Sequence, residues 1–355
     1  MRPLSIPLLF LPLLPQTLAW GTLGHQTIAY LASNFVSPST ETFFQTLLNN
    51  KTDAYLAGVA TWADSYRYTE EGKYSAVLHF IDAEDDVPRW ERKKGEGFGK
   101  SGISVEQENE VRLLLILILA CGVKYARDCG EKGCVVAAIQ NFVSSEFKHI
   151  WDESPPSGLG IFNQLLSPDT TEYDRYIAAK PTILSKDQLT HHPSSSSTPQ
   201  FVGDIHQPLH DENISQGGNG IRVNFTGTST NLHHVWDTSI PEKLIGGYSM
   251  ADAHAWANAL TIAIKSGVYA SQAESWLQGM DIRDPITTSL AWANEANAFI
   301  CTTVMPEGAE GVLGKELSGE YYENGVPVVQ LQVAKAGYRL AAWLDMIAGD
   351  EKEEL

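Results

Sequence analysis

Positive charge is scarce in this chain. Lys and Arg number 25 against 43 Asp and Glu, giving a net charge of −18. That balance argues against a protein held to nucleic acid by a basic surface. It leaves open a grip on phosphate through bound cations, which reverse the local sign. Long apolar runs are also lacking. Val111 to Ala120 is about ten residues and carries Arg112, where a membrane helix needs about twenty. Cysteine is nearly absent. Four cysteines allow three pairings. Cys129 and Cys134 stand close enough for a small loop, which leaves Cys121 for Cys301.

What is present begins with a leader. Arg2 gives residues 1–19 a positive start, and Leu4 to Leu14 is mostly Leu, Ile and Phe. Thr17-Leu-Ala19 makes a small-residue cleavage site before Trp20. Pro3, Pro7, Pro12 and Pro15 suit neither a core helix nor a strand. Residues 1–19 are therefore expected to be a signal peptide, with 20–355 as one domain. Secretion permits disulfides. Asn50-Lys-Thr, Asn213-Ile-Ser and Asn224-Phe-Thr fit the glycosylation sequon.

The densest chemistry lies in Phe201-Val-Gly-Asp-Ile-His-Gln-Pro-Leu-His-Asp-Glu212. Asp204 and His210 are six apart, with His206 between them. A carboxylate and imidazoles packed this tightly suggest zinc, which takes His nitrogen and carboxylate oxygen. Asn231-Leu-His-His-Val-Trp-Asp237 follows. His233 and Asp237 are four apart and would share one face of a helix. Upstream, His25 opens a helical pattern with Ile28, Ala29, Leu31 and Ala32 on its apolar side. Asp64 lies in a second helical stretch, and His79 in a short extended or turn-like run. Leu331 to Leu344 has core-helix periodicity, expected to reach Met346 or Ile347.

In order, the chain carries Trp20-Gly-x-x-Gly-His25, Trp62-Ala-Asp64, Leu78-His79-Phe80-Ile-Asp82, Gly203-Asp204, Gln207-Pro-Leu-His210, Gly217-Gly-Asn219 and Asn231-Leu-His233-x-x-Trp-Asp237. Lys243-Leu-Ile-Gly-Gly, Pro285-Ile-Thr-Thr and Gly337-Tyr-Arg-Leu-Ala flank them. This set resembles the S1/P1 family of secreted, zinc-dependent nucleases that prefer single strands. The likeness covers about residues 20–86, 121–145 and 201–347. It implies a mainly α, phospholipase C/P1 nuclease-like domain with a short β-hairpin around Ile221 to Phe225. It also implies three zinc ions. Trp20, through its freed amino group and carbonyl, and His25 would hold one, and Asp64 and His79 a second. Asp204 would bridge these two, and His210, His233 and Asp237 would hold the third. The family's disulfides agree with Cys121–Cys301 and Cys129–Cys134.

Trp20 makes a physical demand. An α-amino group titrates near pH ~8 and then has a lone pair to give, whereas a peptide nitrogen does not. The precursor is therefore expected to be inactive until cut before Trp20.

The resemblance implies hydrolysis of single-stranded DNA and RNA to 5′-phosphate products, with 3′-nucleotidase action, by a monomer without a membrane partner. Clustered zinc would supply the nucleophile, charge neutralisation and leaving-group support. Asp64 and Arg67 would act at the reacting phosphate, with Arg67 forking onto a non-bridging oxygen. Asn219 would donate to the phosphate. Phe80 would stack on a base and Asp82 would accept from a base amino edge. Read without the match, Arg67 is a solvated helix arginine, Phe80 is core, and Gly217-Gly-Asn219 serves equally as a turn. His206, His234 and His254 gain no role from it.

Two stretches depart from the family, at about 87–120 and 146–200. Pro155-Pro-Ser-Gly and the serine run after Pro193 are low-complexity. Translated intron accounts for both, as does a lineage-specific loop. The family's histidine four before the bridging Asp is here Gln200. An amide oxygen is a poor zinc ligand, so the Asp64/His79 site is expected to be weakened. The rival readings are a zinc phospholipase C and a catalytically impaired relative.

Overall fold

Helices with one apolar face supply the framework. A computed structural model of the chain describes residues 20–84, 121–141 and 193–349. The expected leader at 1–19, the segments 87–120 and 146–192, and the charged tail 351–355 lie outside the described residues. The described part is mainly α. Helix α1, Thr22–Ser33, buries Leu23, His25, Ile28, Ala29, Leu31 and Ala32. Helix α2, Pro38–Leu47, starts where the Ser37 side chain accepts from the Thr40 amide, with Pro38 in the first turn. A short α3, Trp62–Tyr66, precedes a 3-10 helix at Lys73–His79. The 3-10 turn stands where an extended or turn-like run is expected; the extended backbone begins only at Phe80.

Helix α4, Pro193–Asp204, carries Gln200 and Asp204 toward the core. Strands β1, Arg222–Phe225, and β2, Thr228–Asn231, form the antiparallel hairpin, with Val223 opposite Thr230. Thr226 and Gly227 turn it with φ of 50° and 77°, the twist that tight hairpins favour. Helix α5, Met250–Lys265, opens on a capping box made by Ser249 and Asp252. Helix α6, Pro285–Phe299, is capped by Asp284. Helix α7, Glu320–Ile347, ends where the periodicity predicts but begins well before Leu331. Tyr322, Val326 and Val329 continue the apolar stripe upstream, past Pro327 inside the helix.

α1 packs against α5 and α7. A Cβ on Gly337 of α7 would lie 2.6 Å from Leu31, so glycine there lets the two helices close. Val329, Val333, Leu340, Trp343 and Leu344 of α7 are buried. Both expected disulfides are formed, Cys121–Cys301 and Cys129–Cys134. The first ties the 121–141 segment to the π-helical turn Ile300–Val304. Among the described residues no helix is long and apolar enough to cross a membrane.

Candidate metal centre

Seven of the predicted ligands converge in two adjoining groups. His25 comes from α1, Asp64 from α3, His79 from the end of the 3-10 helix and Asp204 from the end of α4. Asp204 stands between two imidazoles. Its Oδ1 is 3.2 Å from His25 Nε2, and its Oδ2 is 2.9 Å from His79 Nδ1. Asp64 lies 3.9 Å from His25 and 3.7 Å from His79. Gly203 makes room, since a Cβ there would sit 2.9 Å from His25 Nδ1.

The second group is His210, His233 and Asp237. One ligand atom from each lies within 4.8 Å of the others. His233 Nε2 is 3.1 Å from Asp237 Oδ2, and His210 Nε2 is 3.8 Å from Asp237 Oδ1. The expected shared helical face is real, but a π turn at Val235–Ser239 carries Asp237. Such turns are frequent at functional sites. Gln207 Nε2 donates to Asp237 Oδ1 at 2.5 Å, a role its sequence position does not signal.

Backbone holds the groups in register. His210 Nδ1 donates to His79 O at 2.6 Å, and Ile81 N–H donates to His210 O at 2.8 Å. His233 Nδ1 donates to Gly217 O at 2.6 Å. A carbonyl only accepts, so each ring carries a proton on Nδ1 and turns Nε2 inward as the atom open to a cation. Trp20 is fully buried. The next amide, Gly21 N–H, donates to Asp237 O at 2.8 Å, which sets the Trp20 end beside the second group.

The donor set fits divalent zinc. Arms of about 2.0–2.1 Å at tetrahedral angles separate ligand atoms by about 3.3 Å, which the observed 2.9–3.9 Å spacings bracket. Both His25 nitrogens, both Asp64 oxygens, Asp204 Oδ1, His210 Nε2 and Asp237 Oδ2 are buried without a hydrogen bond among the described residues. Buried polar atoms need partners. The electrostatics point the same way. Burial drives His25 and His79 below their usual values, and it drives His210 down to about 3. Burial raises Asp64, and it raises Asp204 to about 7. Burial opposes charge on His233 and Asp237 too, but their mutual attraction outweighs it: His233 goes up and Asp237 down.

His206 faces elsewhere. Its Nδ1 donates to Val202 O at 2.7 Å and its Nε2 accepts from Arg339 at 3.0 Å. Both nitrogens are engaged, so neither is turned toward the two ligand groups. Gln200 is fully buried at the first group. Its Oε1 accepts from the Asp64 amide at 3.1 Å, and its Nε2 has no partner among the described residues.

Arg67 Nη2 is 3.4 Å from Asp64 Oδ1. Phe80 and Asp82 line one cavity of about 340 Å³ with Asp128, Lys132 and the Cys134 end of the disulfide loop. Burial, then Glu84 and Asp128, raises the Asp82 carboxyl. Asn219 gives an amide hydrogen to Gln216 O at 2.9 Å, while its Oδ1 is buried and unpartnered among the described residues. Asn50, Asn213 and Asn224 are each half-buried. Asn50 Oδ1 accepts from the Thr52 amide and hydroxyl. Sequence gives no sign of Asp211, which is fully buried with both oxygens unpartnered among the described residues.

The S1/P1 nuclease family model matches residues 20–149 and 184–349. It begins at Trp20 and runs through 87–120, so the gap between its matched parts is narrower than 146–200. Nuclease S1 of Aspergillus oryzae is 42% identical over 347 residues, covering 98% of each chain. Nuclease P1 of Penicillium citrinum is 39% identical over 332 residues, 94% of this chain and 99% of the relative. Endonuclease 2 of Arabidopsis thaliana is 26% identical over 351 residues, 94% of this chain and 92% of the relative.

Proposed function

Since the chain belongs to the S1/P1 nuclease family, we propose that it is a secreted, zinc-dependent endonuclease of single-stranded DNA and RNA. Its products carry 5′-phosphates, and it also acts on 3′-nucleotides. Residues 1–19 are its leader and 20–355 its single domain. The observation that carries this reading is the pair of inward-facing His/Asp groups joined by the His210–His79 hydrogen bond.

Trp20 and His25 would hold one zinc, Asp64 and His79 a second, Asp204 both, and His210, His233 and Asp237 a third. Bound zinc activates water, neutralises phosphate charge and supports the leaving oxygen. The protein's own part is orientation. Arg67, steadied by Asp64, is placed to fork onto a non-bridging oxygen. Phe80 stacks on an unpaired base, which a duplex does not offer. Asp82, whose charge is disfavoured among acidic neighbours, accepts from a base amino group. Asn219 donates to the phosphate.

The test is a protein beginning at Trp20, scored for zinc content and for cleavage of denatured DNA, duplex DNA and phosphatidylcholine. Three zincs and strong preference for denatured DNA are expected. Cleavage of phosphatidylcholine instead would move the chain to the phospholipase C reading. Gln200 favours a second reading, an enzyme short of one zinc. Two zincs per chain with weak cleavage would establish it.

A further inference from the structure

We propose that Gln332 and Arg339 of α7 are positioning residues for the metal centre. Acting through His206, they fix the one turn that presents Asp204, Gln207 and His210. This rests on the reading of the two ligand groups as a zinc centre.

The turn serves both groups. Asp204 belongs to the first and His210 to the second, while Gln207 donates to Asp237 of the second. Backbone bonds run through it without a break. Ile205 N–H donates to Phe201 O, His206 N–H to Gly203 O, Gln207 N–H to Asp204 O and His210 N–H to Gln207 O, at 2.9–3.1 Å. Such a turn moves as one body, so whatever sets its position sets both groups together.

His206 lies at its middle and is fully buried. Helix α7 holds it by backbone and by ring. Gln332, itself fully buried, donates from Nε2 to the His206 carbonyl at 2.9 Å. Arg339 Nη1 donates to ring Nε2 at 3.0 Å. Ring Nδ1 donates to Val202 O at 2.7 Å, which leaves the Nε2 lone pair for the guanidinium. Gln332 and Arg339 stand two turns apart on one face of α7.

The guanidinium is fixed in its own right. Its Nε donates to Trp276 O at 3.0 Å, and its Nη2 donates to Glu295 of α6 at 2.6 Å. It lies over the Trp292 ring, 5.7 Å from the centroid. A buried cation is a costly way to fill space, because well-packed apolar residues often stabilise a core as much or more. What the arginine adds is direction. Apolar burial is non-directional, whereas metal ligands must be held within about 0.5 Å of their productive places. Three elements tied to one guanidinium leave the His206 ring a single seat.

His206→Leu removes both ring bonds. His206→Gln can keep the bond from Arg339, with the amide oxygen accepting. Gln332→Met removes the bond to the carbonyl at similar volume. Each should be compared with the unaltered protein, beginning at Trp20, for zinc affinity by chelator competition and for the visible spectrum of the cobalt(II)-loaded protein. Turnover of denatured DNA gives kcat and KM. H206L and Q332M should bind zinc about tenfold more weakly in both groups, shift the cobalt bands, and lose kcat with KM little changed. H206Q should restore affinity and bands. A lower melting temperature with zinc affinity and cobalt bands unchanged would reduce these bonds to fold staples and overturn the proposal. Failure of both H206L and Q332M to fold would do the same, as would a loss confined to one group. An unaltered protein that takes up no zinc would overturn the reading of the centre itself, and this inference with it.

Discussion

The two halves of the centre are held by different means. In the half made by His210, His233 and Asp237, backbone carbonyls fix both rings and Gln207 fixes the carboxylate. In the half made by His25, Asp64, His79 and Asp204, the His25 ring has no hydrogen bond to protein among the described residues. Gln200 accepts from the Asp64 amide there, and the His79 and Asp204 side chains bond each other at 2.9 Å. The first half is organised before any cation arrives. The second is held chiefly through contacts among its own ligands, such as His79 with Asp204, with less of the protein behind them. Hydrogen bonds behind ligands raise metal affinity, so the backed half should load first and release last.

Four experiments can break or sharpen that contrast. The largest effect is expected from one extra residue ahead of Trp20. Cleavage of denatured DNA should drop to background and one zinc should be lost, read by elemental analysis, while the His210 group stays loaded. Next, Arg67→Ala should lower kcat by about 100- to 1000-fold with zinc content unchanged. Gln200→His should then raise affinity at the loosest site by about tenfold or more, followed by chelator competition. No change would mean that Gln200 does not limit the unbacked half.

The smallest effect concerns stability. Burial lifts the Asp204 carboxyl to about 7 from an ordinary 3.8. The folded state then keeps a proton that the unfolded chain gives up, so this group costs the metal-free protein stability as pH rises through that window. Metal-free Asp204→Asn should melt about 3 °C or more above the unaltered protein at pH ~8. The gap should close as pH falls toward ~4. With zinc present the sign should reverse, because the carboxylate then has its counter-charge. A melting curve in chelator and in zinc checks both.

Much of this arrangement is legible in the order of residues. Spacing alone puts His233 and Asp237 on one face, and periodicity gives α7 its end at Ile347. The convergence of Asp64 with His79 and of His25 with Asp204 is not encoded locally. It depends on α1, α3 and α4 packing together, and the family likeness brings it forward. Other features leave no mark in sequence. Gln207 looks like any polar residue before Pro208, yet it restrains Asp237. The π turn at Val235–Ser239 inserts one residue of slack that helical periodicity cannot reveal.

The bond from Gly21 N–H to Asp237 O has a practical corollary. One amide sits at the junction between Trp20 and the far ligand group, and its exchange with deuterium can be followed there. Exchange at Gly21 should be slow when the π turn is in place and quicken when that turn loosens. Exchange followed at that amide by NMR would thus register the state of a site more than two hundred residues along the chain, with no substrate added.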